Sequence, residues 1–163
     1  MLRVAQFGAG RIGKVHAVNI AGHARSTLVA ISDPHAPSAE ALAGQYGAKV
    51  MSEADVFADP NIDAVIVASS TNVHADQLTA AASAGKAVFC EKPIDLDINR
   101  VRAVLSHLEK HPVPVMVAFN RRFDPNFAAM KDQIDAGSIG EVEMVTILSR
   151  DPGLLPLDYI KVS

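Results

Sequence analysis

The sequence predicts an α/β fold: a Rossmann-type doubly wound parallel sheet, followed by the beginning of a second, truncated α/β domain. Three observations carry this reading. Short runs rich in valine, isoleucine and alanine alternate with helical segments of about 10–14 residues as far as Phe119, the pattern of parallel strands covered on both faces. The first run ends in Gly8-Ala9-Gly10-Arg11-Ile12-Gly13, a G-x-G-x-x-G turn that opens a helix. The second run ends in Asp33, 20 residues after Gly13.

The elements follow in order. Residues 2–8 form an apolar strand ending in glycine, and residues 11–23 a helix whose Ile12, Val15, Val18 and Ile20 are expected to share its buried face. A strand over 27–33 leads through Pro34 and Pro37 to a helix over 38–46, stopped by Gly47. The third strand, 63–69, has the strongest β-branched run. Thr71 or Asn72 is placed to cap the next helix, 73–85, which Gly85 closes. Residues 87–90 make the fourth strand. Asp97 then caps a helix over 98–111 with Ile98, Val101, Leu105 and Leu108 at helical spacing, and 114–119 is the fifth strand. Beyond it the pattern changes. A polar connection, 120–127, precedes a helix over 128–140, a longer alternating strand over 141–151 and a loop-like tail. A domain boundary near residue 120 follows, dividing the chain into 1–120 and 121–163. Met116, Met130 and Met144 read as core filler.

Composition narrows the function. Hydrophobic residues make up 49 % of the chain and charged residues 20 %, which favours a packed core over disorder. A net charge of −3 offers no basic footprint for nucleic acid or an anionic membrane. No apolar run approaches the ~20 residues of a membrane span, and no signal pattern opens the chain. Cys90 is the only cysteine, which excludes an internal disulfide and suits a reducing cytoplasm. His107 and His111 lie four apart, but no acidic partner accompanies them, so no metal site is predicted.

The motifs point to a dinucleotide. Gly8 permits a tight turn, Gly10 leaves room for a pyrophosphate and Gly13 lets helix approach strand, so Gly8, Gly10, Arg11, Ile12 and Gly13 form the expected phosphate cradle at a helix N-terminus. Asp33 stands where a carboxylate accepts from the adenosine ribose hydroxyls. It would repel a 2′-phosphate, which favours NAD over NADP. The same aspartate also suits an Asp-Pro turn, and the two roles are compatible. Ser69, Ser70, Thr71 and Asn72 follow the third strand at the sheet's carboxyl edge, where hydroxyls reach a nicotinamide or merely cap a helix. His74 reads as a ligand contact or as an ordinary surface residue. Glu91 and Lys92 leave the fourth strand at that edge. Beside an oxidised nicotinamide and partly buried, a lysine is pushed away from its ammonium form, and it can then share a substrate hydroxyl's proton while hydride leaves the adjacent carbon. Without such a setting it is a surface lysine in a turn.

Taken together, the stretches FGAGRIGKVHA, SDP, YGA, SSTNVHADQ, CEKPI and NRRFDPNF resemble the glucose-fructose oxidoreductase, inositol dehydrogenase and rhizopine-catabolism family over essentially the whole chain. The segment from Ser149 to Ser163 is similar to the bacterial inositol dehydrogenases within it. The resemblance implies an NAD-dependent dehydrogenase that oxidises a secondary hydroxyl of a polyol, most narrowly myo-inositol to its 2-ketone. It implies Lys92 as the catalytic lysine, often with a cis peptide before Pro93, and Arg121 or Arg122 near the substrate entrance with Asp151 shaping the pocket. It also implies a cytoplasmic homo-oligomer, dimer or tetramer, built through the second domain's sheet. Family members carry an aspartate and a histidine in a later D-x-x-x-H motif, and this chain ends at Ser163 before any such motif. The expectation is therefore that the chain alone is inactive. The alternatives are an NAD-binding or regulatory module without catalysis, and another sugar or diol dehydrogenase of the same family.

Overall fold

The computed structural model describes residues 1–150 and Gly153. They fall into two units, Met1–Ala118 and a second that begins at Phe119.

The first unit is one sheet with helices. Its strands are β1 (Leu2–Phe7), β2 (Ser26–Ser32), β3 (Lys49–Val50), β4 (Ala64–Val67), β5 (Ala87–Cys90) and β6 (Val115–Val117). Their spatial order is β3-β2-β1-β4-β5-β6, with every pairing parallel. The helices are α1 (Arg11–Gly22), α2 (Ala36–Tyr46), α3 (Glu53–Ala58), α4 (Thr71–Ser83) and α5 (Ile98–Lys110). The strand order reverses between β1 and β4, and such a switch point leaves a crevice beyond the strands' carboxyl ends.

Register decides what borders that crevice. Phe7 is level with Ser32 on one side and Val67 on the other, and Val67 is level with Cys90. Gly8, Asp33, Ala68 and Glu91 therefore emerge side by side, although they are far apart in sequence. Because successive strand residues face opposite ways, the sheet supports two cores. Phe7, Val65, Val67, Val88 and Cys90 pack with Leu78 of α4, Val56 of α3 and Val104 of α5. Val4, Leu28 and Ile31 pack with Ala17 and Ile20 of α1 and Leu42 of α2. Phe7, Ile31 and Leu78 are completely buried, each worth roughly 1.5–3 kcal/mol relative to exposure. The Phe7 ring also meets Phe57 of α3 edge to face at 5.4 Å.

Several expectations are corrected. The strand β3 and helix α3 are additions, because a two-residue strand is too short to leave a periodic signal. The buried residues of α1 are Gly13, Ala17 and Ile20, while Val15 and Val18 are exposed. The helix lies so close to the sheet that small residues occupy its inner face. In α5 the buried residue is Val104; Ile98 and Leu105 are exposed, and Leu108 is partly buried against the core. Asp97 caps α5 as expected, accepting from the Asn99 N–H. Helix α4 begins at Thr71 with Ser70 in the cap position, so neither Thr71 nor Asn72 caps it. Met116, Met130 and Met144 are exposed and fill no core.

In the second unit a 3-10 turn, Asn120–Phe123, precedes α6 (Pro125–Asp135). Asp124 caps α6 through the N–H groups of Asn126 and Phe127. The alternating stretch 142–150 is not a strand. It has no regular structure and its apolar side chains are exposed, Met144 by 85 % and Leu148 by 83 %. Alternation is a pattern for pairing, and no strand pairs with it among the described residues.

Candidate active site

The glycine turn is built by collisions it avoids. Gly8 has φ +96°, a conformation side chains disfavour, and a Cβ there would lie 2.3 Å from the Ala68 carbonyl oxygen. A Cβ on Gly13 would lie 2.2 Å from the Gly8 carbonyl oxygen. Gly10 differs: its φ is an ordinary −75° and a Cβ would meet nothing within 4 Å. Packing within the chain explains Gly8 and Gly13. The space in front of Gly10 opens on the cleft and leaves room for a ligand.

Gln6, completely buried in β1, braces this turn. Its Nε2 donates to the Gly8 and Gly13 carbonyls at 2.8 and 3.0 Å. Asp33 braces it from the other side: one carboxylate oxygen accepts from the Ala9 N–H at 2.7 Å, the other from the His35 N–H at 2.8 Å. No side chain caps α1 or α4, unlike α3 and α5, which Ser52 and Asp97 cap. Among the described residues the positive ends of α1 and α4 thus have no side-chain cap.

These parts surround a cleft of about 670 Å³. Gly8, Gly10, Arg11, Ile12, Asp33, Ser69 and Ser70 line it, as do Pro34, Ser52, Glu53, Val73 and Gln77. Buried Gln77 links two of the lining residues: Ser69 Oγ donates to Gln77 Oε1 at 2.5 Å, and Gln77 Nε2 donates to Glu53 Oε1 at 2.6 Å. Glu53 and Ser52 belong to no motif; Gln77 ends the SSTNVHADQ stretch, but nothing in its position marks it as cleft-lining. Gln6 left a usable signal, a polar residue within the apolar run Val4–Phe7.

Thr71, Asn72 and His74 do not line the cleft. His74 is 2 % exposed and neither a surface residue nor cleft-lining; its Nδ1 lies 2.8 Å from the Pro93 carbonyl oxygen and its Nε2 3.1 Å from that of Ser69. Glu91 also turns from the cleft and pairs with His16, Oε1 to Nε2 2.8 Å. Lys92 follows β5 at the same sheet edge, but its side chain is exposed rather than partly buried. The Lys92–Pro93 peptide bond is cis. Beyond it, Asp95 accepts from the Asp97 N–H and from Arg100, which also reaches Asp76 of α4. The Asp97 N–H, then the Arg100 guanidinium, hold the Asp95 carboxyl below its usual range. Arg121 and Arg122 are exposed in the second unit, where the Arg121 guanidinium stacks on Phe127 at 5.0 Å. Asp151 lies outside the described residues. His107 and His111 stack ring on ring at 4.1 Å.

Backbone donors on one wall and a carboxylate on the other, at the switch point of a parallel sheet, define a dinucleotide-binding domain. The groups present fit such a ligand: an open space at Gly10, two helix ends without side-chain caps, and an aspartate anchored at the end of β2. The chain belongs to the oxidoreductase family with an NAD-binding Rossmann fold, whose model matches residues 2–119. It is 53 % identical over 162 residues to inositol 2-dehydrogenase of Rhizobium meliloti, covering 99 % of this chain and 49 % of that protein. Among solved structures, a myo-inositol dehydrogenase from Corynebacterium glutamicum is 46 % identical with a TM-score of 0.90, over 98 % of this chain and 48 % of the other. The scyllo-inositol dehydrogenase of Lactobacillus casei, solved with bound NAD(H) and scyllo-inositol, is 31 % identical with a TM-score of 0.82, over 86 % and 43 %. The chain thus spans about half the length of these relatives. Among the described residues no helix is long and apolar enough to cross a membrane.

Proposed function

We propose that the protein carrying this domain is an NAD-dependent dehydrogenase of a polyol, oxidising a secondary hydroxyl of myo-inositol to the 2-ketone. The observation that carries the proposal is the shared sheet edge: register brings Glu91 out beside Ala68 and Gly8, and Lys92 follows it directly, one strand from the cofactor cleft. The 53 % identity to an inositol 2-dehydrogenase supports the substrate class.

The chain's residues divide the work. Gly8 and Gly13 shape the turn, the N-termini of α1 and α4 attract the pyrophosphate, and Asp33 accepts from the adenosine ribose while disfavouring a 2′-phosphate. Bound NAD supplies the hydride acceptor. Lys92 hydrogen-bonds the substrate hydroxyl and helps withdraw its proton as the carbon–hydrogen bond gives up hydride, leaving a carbonyl. Arg121, Arg122 and Asp151 belong to the proposed substrate side. A cytoplasmic homo-oligomer completes the reading, and size-exclusion chromatography with light scattering tests the assembly.

Calorimetric titration with NAD and NADP, followed by assay of NADH formation with myo-inositol, scyllo-inositol and glucose, tests the proposal. Binding of NAD in preference to NADP with turnover of an inositol is expected. NAD binding without turnover of any polyol would instead favour a cofactor-binding module, and turnover confined to glucose would move the substrate elsewhere in the family.

A further inference from the structure

We infer that His16 and His74 are positioning residues for Lys92, each gripping one of the two residues that flank it. The consequence for catalysis rests on the proposed role of Lys92; the grip itself rests on geometry. Lys92 Nζ makes no hydrogen bond among the described residues, and its flexible stem does not aim itself. Its direction comes from the backbone at 91–93.

That backbone is held at both ends. His16 stands on α1, the helix that opens with the glycine turn, and its Nε2 meets Glu91 Oε1 at 2.8 Å with both side chains only 14 % exposed. The His16 ring rests edge to face on Phe89 at 5.3 Å, which fixes its plane. Glu91 Oε2 in turn lies 3.3 Å from the Lys92 N–H. On the other side His74 of α4 reaches the Pro93 carbonyl through Nδ1 and the Ser69 carbonyl through Nε2. Carbonyl oxygens only accept, so a neutral ring donates to one of them and an imidazolium to both.

Each histidine therefore ties the lysine turn to a different wall of the cofactor cleft: His16 to the glycine-turn helix, His74 to the Ser69 loop. A bystander histidine would be exposed or would bond within its own helix. These two are buried or nearly so and bond across elements 75 and 19 residues away. Positioning of this kind matters because a displacement of about 1 Å at a reacting group can cost roughly 100-fold in rate.

Backbone ¹⁵N relaxation on this chain, in the wild type and in His16→Phe, His74→Phe and Glu91→Ala, tests the inference, with calorimetric NAD titration alongside. Order parameters at Glu91, Lys92 and Ile94 should fall from about 0.85 towards 0.6 in each variant, with the sheet unchanged and the NAD Kd within about threefold of wild type. His16→Gln, which keeps an N–H for Glu91, should restore order. Should His74→Phe not fold, His74→Leu, which likewise offers neither carbonyl an N–H, replaces it and loosens the same residues. Unchanged order at 91–94, or a loss spread evenly over the sheet with a lower Tm, would overturn the inference. The two readings fail separately: Lys92→Ala with unchanged turnover removes the catalytic role but leaves the order parameters as they are.

Discussion

The Asp33 carboxylate accepts a hydrogen bond from the Ala9 N–H at 2.7 Å, so the acid at the end of β2 is also a strut of the glycine turn at the end of β1. Replacing it should act twice. Asp33→Ala removes the proposed ribose acceptor and the strut, and should weaken NAD about 10- to 100-fold, the worth of one charge-assisted bond of about 1.5–3 kcal/mol. Asp33→Asn keeps an acceptor for Ala9 and loses only the charge, so it should sit between wild type and Asp33→Ala for NAD while narrowing the preference over NADP. Calorimetry with both nucleotides measures this, and equal losses in the two variants would deny the strut.

Gly8 and Gly10 should separate in a pair of measurements. Gly8→Ala forces a side chain into the Ala68 backbone at positive φ and should destabilise the fold by about 3 kcal/mol, read by urea unfolding. Gly10→Ala places its methyl in open space and, as a poorer N-cap for α1, should cost only about 0.5–1 kcal/mol of stability. It should nevertheless weaken NAD by about tenfold or more, since the methyl enters the space proposed for the pyrophosphate. Undiminished NAD affinity in Gly10→Ala would place the pyrophosphate elsewhere.

For Lys92 the expected signature is a split. Lys92→Ala should lower turnover of the polyol by about 100- to 10,000-fold, the usual range for general acid–base help, with the NAD Kd within about threefold. Steady-state kinetics and calorimetry on the same preparation check it. Parallel losses in both would make Lys92 a cofactor ligand.

Burial first, and then the Glu91 charge, push the Cys90 thiol up to about 12 from an ordinary 9.0. A thiol that resists ionisation is a poor nucleophile, so alkylation at pH 8 should be slow in the native chain and fast in urea. The sign for stability follows from proton binding. Between pH 9 and pH 12 the native state keeps the proton that the unfolded state releases, so stability declines as pH rises through that window. Cys90→Ala should flatten the alkaline limb of the unfolding profile, and an unchanged limb would assign the decline to other groups.

How legible the molecule was depended on how local each signal is. The parallel architecture and the ends of β1, β2, β4 and β5 could be read because apolar runs, glycine stops and Asp97 are local features. The glycine motif and Asp33 could be read because fixed spacing carries them into one cleft. What stayed hidden was set by partners remote in sequence. Val15 and Val18 look as apolar as Ile20, yet only Ile20 meets the sheet, and the small residues Gly13 and Ala17 take the place beside it. His74 is unremarkable until Pro93 and Ser69 close around it. The stretch at 142–150 alternates like a strand, but it finds no partner strand among the described residues.

Buried Gln77, bonded to Ser69 at one end and Glu53 at the other, gives the cleft a crossbar. Its span is set by the reach of one amide, so the distance between the two walls at that point is a property of a side chain rather than of the sheet. Substituting that single residue would alter the gauge of the cleft while every strand stayed in place.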